Sequence, residues 1–575
     1  MNKFLLASGC AVILITSGCA SLKLWDLENQ YGAPEPRDRV VDVLPPATPD
    51  YWTEVKPVLE KRCVVCHACY DAPCQLKLGS LEGIQRGASR APVYNSTRLR
   101  AAPTTRLFED AADFSAWRAR GFFPVLNEYV DSPQANRDLG VMYRMLRLKE
   151  EYPLPADDIL EPSFDLSLNR KQSCARADSF SDFSRKHPLW GMPYALPGLG
   201  ADEQTVLLKW LEAGAPYTQR IGPSETVAVR VHRWEEFLNN DSLKGMLMAR
   251  YLYEHLFLAH LHFPDVDERW FFRLIRSSTP PGQPARLIST RRPYDDPGVS
   301  RVYYRLVPHN GAIVAKTHMP YALDSLRMEK WKSWFLDVDY SVGALPGYGG
   351  GDASNPFRTF QDLPVDSRYR FLLDEARFTI MSFIKGPVCR GQVALNVIND
   401  HFWVFFVDPD HRKIEYMEEY AVGQAENMEL PASTEEIFRP IHHWRRYADQ
   451  QKAFLARADE NLSANADDLA GIGLDIVWNG EGENNNAALT LFRHFDSATV
   501  EKGMLGDPPK TAWLIDYPLL ERIHYLLGAG YDVYGNLGHQ LLSRVYMDFL
   551  RMEGETGFLA LLPQEARERE RRYWY

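Results

Sequence analysis

With 575 residues the chain is too long for one small domain and should build at least two cores. Its 45% hydrophobic and 25% charged residues are those of a folded protein rather than a disordered one. A formal net charge of -11 argues against a nucleic-acid surface, so no nucleic-acid partner is expected.

Residues 1–19 read as an export signal: Lys3 at a positive start, an apolar run from Phe4 to Ile15, then Ser17 and Gly18 before Cys19. The run is too short to span a bilayer comfortably. Thr16-Ser17-Gly18-Cys19 is similar to a lipoprotein signal, with Thr16 where leucine is commonest, so a lipid-anchored Cys19 and a plain cleaved signal both stay open. No later apolar run suits a transmembrane helix, which leaves a lipid anchor or peripheral membrane contact after export. Eight cysteines fit the bacterial periplasm, where disulfides persist.

Residues 20–49 are expected to be a linker, because 31–50 is rich in proline and charge without an apolar period. A first domain is expected over 50–222. It opens with Tyr51, Val55, Val58 and Leu59 at helical spacing, with Pro57 in a first turn or at a kink. ADEQTVLLKWLEAGAP closes it as a helix, with Asp202 as N-cap, an apolar stripe of Val206, Leu207, Trp210 and Leu211, and Gly214 and Pro216 as stop signals.

The second domain, 223–575, mixes signals. LKGMLMARYLYEHLFLAHLHF, 243–263, reads as helix. Asn310-Gly311 between alternating apolar runs reads as a hairpin turn, and HFWVFFV, 401–407, as a strand. From YPLLERIHYLLGAG to LLSRVYMDFLRMEG the periods are helical again.

The first helical run leads directly into Cys63-Val64-Val65-Cys66-His67. Two thiols separated by two residues reach the two vinyl groups of one porphyrin, and the histidine that follows is held beneath the iron. The expectation is one covalent haem c per chain, held by Cys63, Cys66 and His67. The alternatives are a zinc site or a redox dithiol, since Cys69 and Cys74 enrich the region in cysteine, but zinc favours two regular pairs and the second spacing is irregular.

Met192 in GMPYALP, shortly before the closing helix, is the first candidate for a distal iron ligand, with packing in a loop as the equal alternative. His187 is a weaker candidate. MPYAL recurs at 319–323 behind His318. Cys69, Cys74, Cys174 and Cys389 then remain, and four cysteines allow three disulfide pairings. The fold class expected is multidomain: a mainly α, cytochrome c-like N-terminal domain with a long insertion between Cys74 and Met192, followed by an α+β domain rich in helices.

Other residues invite weaker readings. Leu256, Phe257, Leu258, Leu261 and Phe263 are candidates to line an acyl channel, although core packing is the commoner role of such residues. His255, His260 and His262 lack the four-residue spacing of helical metal ligands, so partly buried polar roles are expected. Cys389 in GPVCRGQ is a disulfide partner or a buried thiol. NGEGENNN, 479–486, lacks the alternation of a calcium loop and reads as a solvated turn. No nucleotide motif is present, so no nucleotide cofactor is expected.

RCVVCHACYDAPCQLKL, GMPYALPGL, KTHMPYALD, FIKGPVCRGQVALNVI, NAALTLFRHFDSATV and IDYPLLERIHYLLGAGYDVYGNLGHQL together resemble the bacterial periplasmic fatty acid cis/trans isomerases, over about 50–562. The resemblance implies conversion of cis unsaturated acyl chains of membrane lipids to trans without moving the double bond, which stiffens the membrane under stress. It implies Cys63, Cys66 and His67 as haem-binding residues, His67 as the catalytic iron ligand, and unsaturated fatty acyl chains or phospholipids as partners. The resemblance implies family members that usually continue beyond Tyr575, so a C-terminally shortened chain is one expectation.

The partly double amide bond already resists rotation by roughly 18 to 20 kcal/mol, and a full C=C bond resists far more. Turnover near one per second tolerates a barrier of only about 17 kcal/mol. A catalyst must therefore lower the bond order. The rival expectation is a periplasmic c-type cytochrome for electron transfer or redox sensing, whose second domain binds a partner protein.

Overall fold

The computed structural model describes Trp25 and residues 27–575 apart from 157–158, 168–169, 387–397, 412–424, 427, 432–444, 451, 454–473 and 496. The export signal, Cys19 and Cys389 lie outside the described residues. The chain divides into two compact units. The first takes residues up to Val93, Thr105–Gly222 and Asn310–Val314; the second takes Tyr94–Thr104, Pro223–His309 and Ala315–Tyr575.

The first unit is built on helices. Asp50 caps a π turn, Tyr51–Val55, by accepting the N–H of Thr53, and α1 (Lys56–Arg62) follows with Pro57 in its first turn, where the missing N–H is not needed. α2 (Val64–His67) follows at once, then α3 (Leu81–Arg86), α4 (Val141–Glu151) and α5 (Ala201–Glu212). Tyr51, Val55 and Leu59 share one core with Leu207, Trp210 and Leu211 of α5.

Two local expectations change. The N-cap of α5 is Gly200, whose N–H donates to the Glu203 carboxylate; Asp202 sits inside the first turn, where a negative charge suits the helix dipole. Residues 31–50 are not a free tether. The N–H of Val41 donates to the Tyr217 carbonyl, that of Tyr217 donates to Arg39, and the buried Arg39 guanidinium reaches the Gly214 and Asn127 carbonyls. Extended backbone left its polar groups available for this pairing.

The second unit opens with α6 (Glu225–Leu238) and α7 (Leu243–Leu256), capped by Ser224 and Ser242. The helical reading of 243–263 fails at its end: Ala259 bonds back to Leu256, and His260–His262 becomes strand β1. β2 (Phe272–Ser277), β3 (Tyr303–Pro308) and β4 (Pro320–Ala322) complete a sheet of order β3-β2-β1-β4. β4 runs parallel to β1 and the other pairs are antiparallel. Asn310-Gly311 is therefore no hairpin turn. β4 lies across the sheet from β3, so the connection must travel, and Asn310–Val314 belongs to the first unit.

α8 (Ser325–Phe335), α9 (Val365–Asp374) and α10 (Ala376–Lys385) lead to a second sheet. β5 (His401–Phe406), β6 (Ala488–Arg493), β7 (Ala498–Lys502) and β8 (Ala512–Ile515) are ordered β7-β6-β5-β8. Again three strands form an antiparallel meander and the fourth is parallel to the first. Each fourth strand runs into an Asp-capped helix: Asp324 caps α8, and Asp516 caps α11 (Tyr517–Ile523). The unit thus uses one supersecondary pattern twice.

After a π turn at His524–Gly528 come α12 (Leu537–Ala560) and α13 (Gln564–Trp574). Gly554 and Gly557 let α12 lie close on β8: a Cβ at Gly554 would stand 3.3 Å from Trp513 Cβ, and one at Gly557 3.2 Å from the Leu514 carbonyl. Among the described residues no helix is long and apolar enough to cross a membrane.

Candidate functional site

Cys63 sits at the kink where α1 gives way to α2, so Cys63, Cys66 and His67 share a single helical turn. Cys63 and Cys66 are free thiols, whereas Cys74 is disulfide-bonded to Cys174 and Cys69 is also in a disulfide. Burial pushes the Cys63 thiol up to about 12, and Cys66 is exposed.

His67 is only 7% exposed, and burial lowers its pKa, favouring the neutral ring. Its Nδ1 lies 2.9 Å from the Leu76 carbonyl, which can only accept, so Nδ1 carries the hydrogen and Nε2 keeps its lone pair. The Leu78 N–H bonds back to the His67 carbonyl at 2.9 Å and fixes the loop that orients the ring. A neutral imidazole with one nitrogen anchored to a carbonyl is the form a metal ligand takes.

Met192 packs against the same core that Cys63 borders, and its N–H donates to the Met145 carbonyl at 3.0 Å. His187 instead stacks on Trp190 at 3.9 Å. Among the described residues no group of three or more His, Cys, Asp or Glu is arranged to hold a metal ion. His255 turns toward Glu521 rather than toward His260 and His262. The channel candidates divide: Leu256, Leu261 and Phe263 are buried in the fold, while Phe257 and Leu258 are half-buried. NGEGENNN forms a short turn in which Asn486 is buried and hydrogen-bonded to the Asp374 carbonyl, so it is only partly solvated.

The second unit holds a polar cluster that spacing did not reveal. His255 on α7 faces Glu521 on α11, Nε2 to Oε2 at 2.9 Å, while its Nδ1 meets the Tyr251 carbonyl at 2.8 Å; both ring nitrogens thus face acceptors. Glu521 Oε1 accepts from the hydroxyls of Tyr251 at 2.6 Å and Tyr517 at 3.1 Å. Burial alone would raise the Glu521 carboxyl, but the facing His255, with Arg368 and Tyr251, holds it down at about 2.

His524 stacks on His255 at 4.2 Å and donates from Nε2 to the Glu254 carbonyl; burial, then the neighbouring His255, pushes its pKa down to about 3. The Tyr525 hydroxyl closes the cluster by donating to Glu254 at 2.6 Å. The one available signal was a charged residue inside an otherwise apolar helical run, as in RYLYEHL and LLERIHYLL.

A family model described as fatty acid cis/trans isomerase (CTI) matches residues 102–575. No curated protein and no solved structure matches the chain. The matched residues include the His255–Glu521 cluster and begin after the Cys63–His67 motif. The chain therefore belongs to the fatty acid cis/trans isomerase family and is a cis-trans isomerase acting on fatty acyl substrates.

Proposed function

We propose that this isomerase rotates the cis double bond of unsaturated fatty acyl chains of membrane lipids without moving it, using one haem c on Cys63, Cys66 and His67, and works in the periplasm in peripheral contact with the membrane to adapt its fluidity to stress. In this reading the first unit is a cytochrome c-like domain and the second is the isomerase domain proper. The observation that carries the haem assignment is the state of the motif: two free thiols beside disulfide-bonded neighbours, and a buried neutral His67 anchored through Nδ1 with the Nε2 lone pair left to bind a metal. These residues fit the group.

Haem bound there supplies electron withdrawal from the alkene, which lowers the bond order that resists rotation. The chain's own residues supply the rest. The Leu76 carbonyl holds the His67 tautomer, and burial keeps the ring neutral. Met192 is the protein's nearest soft donor in sequence to the closing helix, and it competes with substrate if it ligates. Burying the acyl chain contributes about 0.8 kcal/mol per CH₂, so binding energy is available to hold the bond in place. No proton, nucleotide or reductant is consumed.

Purified holoprotein incubated with a cis-monounsaturated fatty acid and no reductant should yield the trans isomer by gas chromatography, and His67→Ala should yield none. Trans product at the wild-type rate from His67→Ala would sink the haem assignment and leave the isomerase standing.

A further inference from the structure

Three sequence segments meet in the second unit: AHLHF around β1, KTHMPYALD running into and through β4, and FIK at the end of α10. His260 Nδ1 lies 3.0 Å from His318 Nδ1, and the His260 ring is 4.4 Å from that of His309. Phe271 sets its ring against His260, His262 and His318 at 6.1, 5.7 and 5.0 Å. Leu261, between the two strand histidines, is buried. Lys385 is 5% exposed, and its ammonium donates to the carbonyls of Ala315 at 2.7 Å and His318 at 2.9 Å.

Among the described residues these two carbonyls are the acceptors of the buried ammonium. Among the described residues no carboxylate pairs with Lys385. A buried ammonium without a direct ion-pair partner is costly, and the charge of Glu501 offsets the repulsion from Arg377 only in part. Burial, then Arg377, lowers the Lys385 pKa to about 8 against the opposing charge of Glu501. His260 is pushed down to about 2 by burial and by His309, His318, Arg273 and Lys385; His318 is pushed to about 4 by burial, Lys385 and His262. The Lys385 ammonium disfavours a metal cation here. A single negative charge would relieve it.

We propose that this basic cluster binds the carboxylate of a free fatty acid, recognising the substrate by its head as well as its chain; the proposal rests on the fatty-acid reading of the family. Lys385 supplies the charge and its third N–H. His260 and His318 share one hydrogen between their Nδ1 atoms. Phe271 offers an apolar wall for the methylenes next to the head. One ammonium matches the single charge of a carboxylate better than the two of a phosphate monoester.

The test is equilibrium binding of cis-9-hexadecenoate and of its methyl ester to the full-length holoprotein, in wild type, Lys385→Met and His318→Gln. Wild type should prefer the acid at least about tenfold, and Lys385→Met should bring that preference close to one. The melting temperature of free Lys385→Met should hold or rise, because an unpaired buried charge has gone. Equal binding of acid and ester by wild type, a preference that survives in both variants, or displacement of the acid by inorganic phosphate or phosphatidate at equal concentration would each overturn the proposal. Trans product from the same preparations reads the isomerase separately: discrimination without product removes the function proposed above and keeps the head-group site, and product without discrimination does the reverse.

Discussion

In the first unit the groups proposed for chemistry lie within one turn, from Cys63 to His67, whereas in the second unit His255 meets Glu521 across 266 residues. The first arrangement is fixed by local helix geometry and braced by the Cys74–Cys174 disulfide. The second exists only once α7 and α11 have packed, and every carboxylate oxygen of Glu521 is then used. A local motif can tolerate loosening around it. A long-range buried carboxylate cannot, because losing its hydrogen-bond partners strands its charge in low dielectric.

That contrast can be broken in order of effect. His67→Ala should reduce trans product to the rate without enzyme while hydrogen exchange across β5–β8 stays as in wild type; loss of protection in that sheet would show that the motif also supports the second unit. Glu521→Ala should cost about 3 to 5 kcal/mol in denaturant unfolding, confined to the second unit, with hydrogen exchange across α1 and α5 unchanged. Cys74→Ser, opening a link between residues separated by 100 positions, should cost about 2 to 5 kcal/mol, confined to the first unit.

The smallest effect is on acid stability. Glu521 has a folded pKa of about 2, below its ordinary 4.5, and His524 one of about 3, below its ordinary 6.5. In both cases the unfolded chain binds the proton more tightly, so acid favours unfolding. Their contribution is fully present above the unfolded values. It should fade as pH falls from about 6.5 to 3 for His524 and from about 4.5 to 2 for Glu521. Glu521→Gln should flatten the lower part of that decline in a urea titration series; an unchanged slope would remove the Glu521 carboxylate as its source.

The same contrast explains what the sequence made legible. Cys63, Cys66 and His67 are a spacing, and the α5 stripe of Leu207, Trp210 and Leu211 is a period; both are local and could be read directly. His260–His262 was taken for helix because three residues after an amphipathic helix carry too little pattern to mark a strand. Asn310-Gly311 looked like a hairpin because turn chemistry says nothing about which strand lies next door, and β1 and β2 had to intervene. The doubled sheet pattern was invisible, since the shared feature is strand order rather than residue identity. Glu521 and Lys385 drew no reading from the sequence, because only the packing of distant segments buries them.

The central claim is that the double bond is loosened and turned, with no proton added and no bond displaced. It is tested most directly by running the holoprotein on a cis-monounsaturated fatty acid in D₂O and analysing the trans product by mass spectrometry. The product should carry no deuterium and keep its double bond at the original position. Deuterium on a former alkene carbon, or a shifted bond, would contradict the account.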